Sequence, residues 1–390
     1  MRKNLDYAQL NRPRLGIGVI GHGFMGKVHS NAYLKIPFTY HEPAAYPQLV
    51  AMAGRNEPEL VDTARRFGYL GVYTDWRQLV NDPQVQAVDN CTPDDQHAEL
   101  SIAAAEAGKH ILCEKPLAMN AAQARSMWDA VRKTGVKHML CHNYRFLPAV
   151  RLARELVGEG RIGRVYQLRG RYLQEVGRNP QEIIENVWYA DGTRSGVLLG
   201  IGCHIIDLAR FLVGEIESVS GLLRTFNSRR RDRAGVEREV SADEVNLALV
   251  EFAGGAVGTL ESAGVSTGHK NQCAWEINGS KGSIGFDLED PDHLQVCLDD
   301  SSSDKVIGFT EVSVTGLRHP LQAAILPPGH NSGWEYGHVH ALHHFVDAVV
   351  NGKPIEPYAA TFEDGYRTQL IMEAIQESSR AGGKIRLHYD

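Results

Sequence analysis

Two short stretches carry the residue types that acid–base chemistry near neutral pH requires. The first is Cys113-Glu114-Lys115-Pro116, at the end of a short apolar run. A lysine ammonium can hold a reacting oxygen and pass a proton when its surroundings tune its basicity. Pro116 sets the turn that follows. The second is Gly202-Cys203-His204-Ile205-Ile206-Asp207, which places His204 and Asp207 one helical turn apart on one face. An imidazole beside a carboxylate is a general acid–base pair; a core histidine bonded to the helix end is the plainer alternative. The cluster His338, His340, His343 and His344 has metal-ligand composition but matches no ligand spacing, so no metal is expected.

Neither stretch can take up electrons, and a glycine loop points to what would. Gly21-His22-Gly23-Phe24-Met25-Gly26 follows the buried run at 15–20 and opens a helix, the setting that G-x-G-x-x-G needs to cradle a dinucleotide. Gly21 permits the tight turn, Gly23 lets backbone approach a pyrophosphate, and Gly26 lets helix and strand pack closely. Phe24 and Met25 fall in the same loop. The second strand runs into Gly54-Arg55-Asn56-Glu57. Arg55 could take the 2′-phosphate of NADP, whereas a shifted register would bring Glu57 to the ribose and favour NAD.

The elements that must hold these groups alternate through the first third of the chain. Apolar runs at 15–20, 49–53, 86–90, 110–113 and 138–141 alternate with helical stretches from Lys27 and at 57–67, 97–107 and 120–134. That pattern implies βαβ units and a parallel sheet, a Rossmann-type α/β domain over residues 1–146. Prolines 37, 43 and 47 predict a loop over 37–48. Beyond about residue 147 the reading is a helix at 148–159, then strands at 164–174, 216–226, 244–252, 256–262, 272–278 and 294–298. Gly254-Gly255 supplies a hairpin turn. Residues 203–213 read as a helix, 227–242 as an arginine-rich hairpin excursion, 300–333 as irregular, and 337–350 and 363–380 as helices. Residues 147–390 are therefore expected to form an α+β domain with a large, mostly antiparallel open sheet, for substrate binding and oligomerisation.

Taken in order, Gly21–Gly26, Thr92-Pro93 with His97, Glu114-Lys115-Pro116, Asn143-Tyr144-Arg145 and Gly202-x-His204-x-x-Asp207 resemble the Gfo/Idh/MocA family of oxidoreductases over nearly the whole chain. The resemblance implies an NAD(P)-dependent enzyme that moves hydride to or from a CH–OH carbon. It casts Lys115 and His204 as catalytic and Glu114 as a ribose ligand, with Thr92, Pro93, His97, Asn143, Arg145 and Arg55 around the cofactor. The substrate would be a sugar, glycoside or cyclic polyol, walled by Tyr144, Tyr172, Gln174, Trp188, Asp207, His338 and His340. Gly-Phe-Met-Gly-Lys at 23–27, His29-Ser30, Cys113–Ala118 and Tyr172-Leu173-Gln174 look closest to members that oxidise anhydrosugars and the C3 hydroxyl of glucosides. Those members use NAD, which places NAD ahead of NADP. Subunits of the family commonly associate through the open sheet, so a homodimer or homotetramer is implied. One departure stands out: the aspartate usual four residues before the histidine is Gly200 here, so either Glu185, Asp191 or Asp207 substitutes or the sugar binds differently. Two other readings remain at this stage: a dinucleotide-dependent sensor without turnover, and a redox-assisted lyase or glycosidase that retains its NAD.

Composition removes other classes. The formal net charge of -6 over 390 residues argues against a nucleic-acid partner, although Arg229, Arg230, Arg231 and Arg233 crowd one stretch. No apolar run is long enough to span a membrane. Cys91, Cys113, Cys141, Cys203, Cys273 and Cys297 show no CxxC spacing, and the opening Met1-Arg2-Lys3-Asn4-Leu5-Asp6 lacks the apolar stretch of a signal peptide. A reducing, cytoplasmic setting is expected.

Overall fold

The computed structural model describes residues 12–181, 196–231, 235–299, 307–324 and 327–389. β1 (Arg14–Ile20) is buried at all but its first residue. A run apolar on both faces suits a central parallel strand, and that is its place. With β2 (Tyr46–Ala53), β3 (Gly71–Tyr73), β4 (Ala87–Asn90), β5 (His110–Cys113) and β6 (His138–Leu140) it forms a six-stranded sheet in the order β3-β2-β1-β4-β5-β6. Every pairing within this sheet is parallel. The helices α1 (Phe24–Thr39), α2 (Glu57–Phe67), α3 (Trp76–Asn81), α4 (His97–Glu106) and α5 (Ala121–Thr134) connect its strands.

The loop expected at 37–48 is largely absent. α1 runs through Pro37 to Thr39, and β2 starts at Tyr46 with Pro47 inside it. Each proline removes a single backbone N–H bond, and the surrounding element absorbs that loss. Pro37 lies in the last turn of α1, which Tyr40 closes by donating its N–H to the Ile36 carbonyl at 2.8 Å. Pro47 lies where β2 is paired on one side only, since β3 joins it at Ala51–Ala53.

After α6 (Pro148–Gly158) the chain builds a second sheet. Its strands are β7 (Val165–Leu173), β8 (Ile216–Arg224), β11 (Val245–Phe252), β12 (Val257–Ala263), β13 (Gln272–Gly279), β14 (Gly282–Asp287), β15 (His293–Leu298), β16 (Thr310–Ser313) and β17 (Ile385–Arg386). They lie in the order β16-β15-β14-β13-β7-β12-β11-β8-β17, antiparallel except where β7 meets β12. β9 (Arg229–Arg231) and β10 (Glu237–Glu239) make the separate arginine-rich hairpin. The hydropathy pattern does not show β14, which two glycines interrupt, nor the short edge strands β16 and β17. β11 alternates buried and exposed residues throughout, so one face of the sheet meets the core and the other faces outward.

The inner face packs against α6, α7 (Cys203–Leu212) and α9 (Phe362–Ala381), in a core that includes Leu168, Leu208, Trp275 and Ile375. A π-helical turn, Leu198–Gly202, leads into α7. The last third of the chain also returns to the first sheet. On α8 (Tyr336–Asn351), Leu342 and Phe345 pack with Tyr33 and Ile36 of α1, while Phe362 and Tyr366 join Met127 on the other side. The two domains are thereby clamped together, and the cleft between them has fixed walls.

The glycine loop depends on backbone contact. Gly21 has φ +106°, and a Cβ there would lie 2.4 Å from the Cys91 carbonyl oxygen. A Cβ on Gly26 would lie 1.9 Å from the Gly21 carbonyl oxygen. Backbone cannot yield as a side chain can, so Gly26→Ala is expected to cost about 1–3 kcal/mol of stability and to abolish tight dinucleotide binding. Thermal melts with and without NADH check this.

Candidate active site

The carboxyl ends of the parallel strands face the second domain across a cleft of about 1050 Å³. Ligands of open parallel sheets bind at that end. Gly21, Gly23, Phe24 and Met25 line the cleft, whereas Gly26 is buried beneath the turn. A Cβ at Gly23 would meet nothing within 4 Å. α1 has no side-chain cap and no acid in its first turn, so its start offers N–H groups and a positive dipole end to an anion.

Arg55 lines the cleft beyond β2, beside Asn56. The acid that reaches this wall is Glu59, not Glu57; its carboxylate lies 3.6 Å from Nε2 of His22. Gly54 makes room for that histidine, since a Cβ there would fall 2.1 Å from its Nδ1. Sequence reasoning missed His22, Asn56, Glu59, and Thr74 and Trp76 after the very short β3. Thr92 and Pro93 line the cleft. His97 does not: its buried ring lies between the Pro116 and Thr92 carbonyl oxygens, at 2.8 and 3.0 Å, and ties their two turns together.

Glu114 and Lys115 line the cleft from the end of β5. Glu114 accepts the Lys115 backbone N–H at 3.1 Å, and Lys115 Nζ donates across the domain boundary to the Gly200 carbonyl oxygen at 3.0 Å. At the position of the expected aspartate, the π-helical turn thus supplies a neutral backbone acceptor. π turns recur at functional sites for this kind of local re-aiming.

His204 lines the cleft opposite, on the first turn of α7. Its ring lies 4.5 Å from that of Tyr144 and 5.5 Å, edge-on, from that of His142. Burial first, then the charges of Lys115, His142 and His338, drive its pKa well below 6.5, so the imidazole is neutral. Its Nδ1 is buried without a hydrogen-bond partner among the described residues.

Asp207 is not the partner of His204. It is 1% exposed and accepts Nε and Nη2 of Arg145, at 2.8 and 2.6 Å. The planar guanidinium matches the carboxylate in a way imidazole cannot, so the pair closes on itself behind the cleft. Neither Arg145, expected at the cofactor, nor Asp207, expected at the substrate, lines the cleft. His340 is likewise displaced: it is buried between helices, with Nδ1 2.5 Å from the Tyr40 hydroxyl. Helical periodicity turns it toward α1 while His338, two residues earlier, faces the cleft. Trp188, Glu185 and Asp191 lie outside the described residues.

Tyr144, Tyr172 and Gln174 line the cleft with two residues that sequence reasoning missed, Asn271 and Trp334. Trp334 Nε1 donates to the Tyr144 hydroxyl at 3.3 Å, and the two tyrosine hydroxyls lie 2.8 Å apart. Tyr172 and the Gln174 amide both donate to Oδ1 of Asn271, each at 2.7 Å. An indole only donates, so the chain has a direction. Both phenolic protons are used within it, and the Asn271 amide group and the Gln174 carbonyl remain for a ligand. Burial pushes Tyr144 up to about 12 and Tyr172 well above its ordinary value. Both phenols therefore keep their protons.

Four buried polar atoms of cleft-lining residues, His22 Nδ1, Asn143 Nδ2, His204 Nδ1 and His338 Nε2, have no protein partner among the described residues. Open donors and acceptors along one wall, with a bare helix start at the other end, fit a dinucleotide: phosphates at α1, the polar atoms to its ribose and amide groups.

A parallel sheet of this order with this glycine loop, facing a second domain across a lysine- and histidine-lined cleft, defines a two-domain dinucleotide-dependent oxidoreductase. The model of the oxidoreductase family, NAD-binding Rossmann fold, matches residues 15–142, and that of the family's C-terminal alpha/beta domain matches residues 154–387. The chain belongs to this Gfo/Idh/MocA family. It is 38% identical to levoglucosan dehydrogenase of Pseudarthrobacter phenanthrenivorans, over 94% of this chain and 96% of that protein. It is 27% identical to scyllo-inositol 2-dehydrogenase (NAD(+)) of Bacillus subtilis, over 86% of each. A solved structure of levoglucosan dehydrogenase in complex with NADH and levoglucosan superposes with a TM-score of 0.91 at 38% identity, covering 96% of this chain and 99% of that one. Among the described residues no helix is long and apolar enough to cross a membrane.

Because both phenols stay protonated, Tyr144→Phe and Tyr172→Phe are expected to leave the pH dependence of turnover unmoved from about pH 6 to about pH 9. An alkaline limb that vanished with either change would show that a phenol titrates.

Proposed function

We propose that the protein oxidises, with NAD, a secondary hydroxyl of a sugar, glycoside or cyclic polyol. The observation that carries this reading is the placement of Lys115 and a neutral His204 on one cleft with a directed polar wall. Tyrosine and tryptophan faces suit the apolar side of a pyranose, and Asn271 and Gln174 suit its hydroxyls. The names of the similar enzymes support the same substrate class, and that of D-glucoside 3-dehydrogenase of Escherichia coli, 24% identical, makes the C3 hydroxyl of a glucoside the first candidate.

Bound NAD supplies the hydride acceptor. Lys115 donates to the reacting oxygen, as it does to Gly200 in the structure, and stabilises the negative charge that develops there. His204 takes the hydroxyl proton. It is a neutral imidazole opposite Lys115, whereas both phenols hold their protons and Asp207 is engaged by Arg145. The products are a keto sugar, NADH and a proton.

Subunit association belongs to the same reading. The outward face of the large sheet exposes Leu222, Leu247 and Leu249, interspersed with charged side chains, and we read it as the interface of a homodimer or homotetramer. The six cysteines are all free, which suits the cytoplasm.

The first test is reduction of NAD, followed by nicotinamide absorbance, across levoglucosan, inositols, glucose and glucosides. Reduction with one of them is expected. Reduced dinucleotide retained on the protein with no release would instead favour a redox-assisted lyase. Lys115→Ala is expected to lower turnover by about 10²- to 10⁴-fold while NADH still binds; near-normal turnover would sink its assignment. Leu249→Glu is expected to lower the mass measured by light scattering, and an unchanged mass would remove the sheet from the interface.

A further inference from the structure

Beneath the cleft lies a buried charge cluster that the mechanism above does not use. His29, on the second turn of α1, is 0% exposed. Its Nδ1 lies 2.9 and 3.0 Å from the two carboxylate oxygens of Asp89 on β4, and its Nε2 lies 3.1 Å from Oε1 of Glu114. Asp89 is 0% exposed and Glu114 is 4% exposed. A neutral imidazole carries one N–H and could satisfy only one of these carboxylates. Two carboxylates on opposite edges of one ring require the imidazolium, which donates from both nitrogens.

We propose that His29 is a positioning residue for the dinucleotide: as a buried imidazolium clamped between Asp89 and Glu114, it holds the Glu114 carboxylate ionised and turned into the cleft. Glu114 lines the cleft beside Lys115 and keeps Oε2 on the Lys115 backbone N–H. With Oε1 anchored from below and Oε2 from the side, the carboxylate has one orientation in which to accept a ribose hydroxyl. Asp89 does not reach the cleft, so its work is on the ring of His29.

The neighbours support this charge state. Burial opposes the imidazolium, but the charge and hydrogen bond of Asp89, together with Cys91 and Cys141, carry the pKa of His29 well above 6.5. Burial would raise Glu114, yet the hydrogen bond and charge of His29, then Lys115 and His338, bring it down to about 2. Among the described residues the other titratable groups facing the cluster are Cys91 beyond β4, Cys113 on β5, Cys141 beyond β6, Tyr33 on α1, Tyr69 after α2, Lys115 after β5 and His338 on α8. Burial pushes the three thiols up and His338 down to about 3, so they face the cluster uncharged. The raised histidine contributes fully below pH 6.5 and fades as pH climbs through its folded value; the lowered glutamate contributes fully above pH 4.5 and fades as pH falls toward 2. Across the range between, wild-type NADH affinity is expected to be flat.

The inference rests on the cleft being the dinucleotide site, and NADH fluorescence titration separates the two. Absence of NADH binding by the wild type would remove that reading itself. If it holds, His29→Asn weakens NADH binding roughly 10- to 100-fold, the range for a lost hydrogen bond to a charged group. The loss deepens from about pH 8 to about pH 6, because a buried Glu114 without its counter-charge takes up a proton. In a Glu114→Gln background the same change adds little. A parallel, pH-independent loss in both backgrounds would overturn the proposal. Should the variants fail to fold, histidine-selective NMR of the wild type decides: His29 is expected to remain an imidazolium at about pH 8, and a neutral ring there would refute the clamp.

Discussion

The bidentate pair of Arg145 and Asp207 sets the geometry on which the rest of the cleft depends. Arg145 belongs to the short 3₁₀ turn Asn143–Phe146 that ends the first domain, and Asp207 lies one turn beyond His204 on α7. Both are almost wholly buried, and Asp364 at the start of α9 lies 3.6 Å from the same guanidinium. A buried ion pair adds little net stability over an apolar contact, but losing one partner strands the other charge at a cost of about 3–5 kcal/mol. The pair therefore acts as a locator. It fixes the domain boundary against α7, and with it the direction in which His204 meets Lys115.

Once α7 is located, the chemistry of the cleft follows from which charges are neutralised and which are left alone. Asp207 is spent on Arg145, and burial keeps the His204 ring neutral. Lys115 donates to the Gly200 carbonyl, and a backbone acceptor can orient an ammonium as a side chain does. The tyrosines are bound into a chain that begins at an indole N–H, so they shape the wall without titrating. Below, the two carboxylates flanking His29 hold the ring charged. The cleft thus separates a neutral histidine facing the ligand from a charged one beneath it.

Much of this was legible in the chain itself. β1, the glycine loop and α1 could be read because a buried strand, a G-x-G-x-x-G turn and a helix each demand particular residues locally. Lys115 could be read because strand ends in parallel sheets face ligands. β14 escaped because Gly282 and Gly285 interrupt its hydropathy, and Pro37 misled because a well-packed helix can absorb the one N–H bond that a proline removes. Asn271 and Trp334 had no local signal at all. They stand about a hundred or more residues from the groups they bond, and only packing brings them together.

The sequence by itself determined the two-domain plan, the dinucleotide loop and the strand end and helix start from which Lys115 and His204 line the cleft, because these rest on periodicity, turn chemistry and short spacings. The tertiary structure alone decided how charges were paired. His204 and Asp207 share a helical face, which is a local fact, yet a guanidinium from 62 residues away takes the carboxylate. Gly200 carries no side chain that could signal a role, and its carbonyl becomes a lysine acceptor only when two domains close on one another. Pairing depends on what lies within about 3 Å in space, and a linear pattern does not carry that information for residues so far apart.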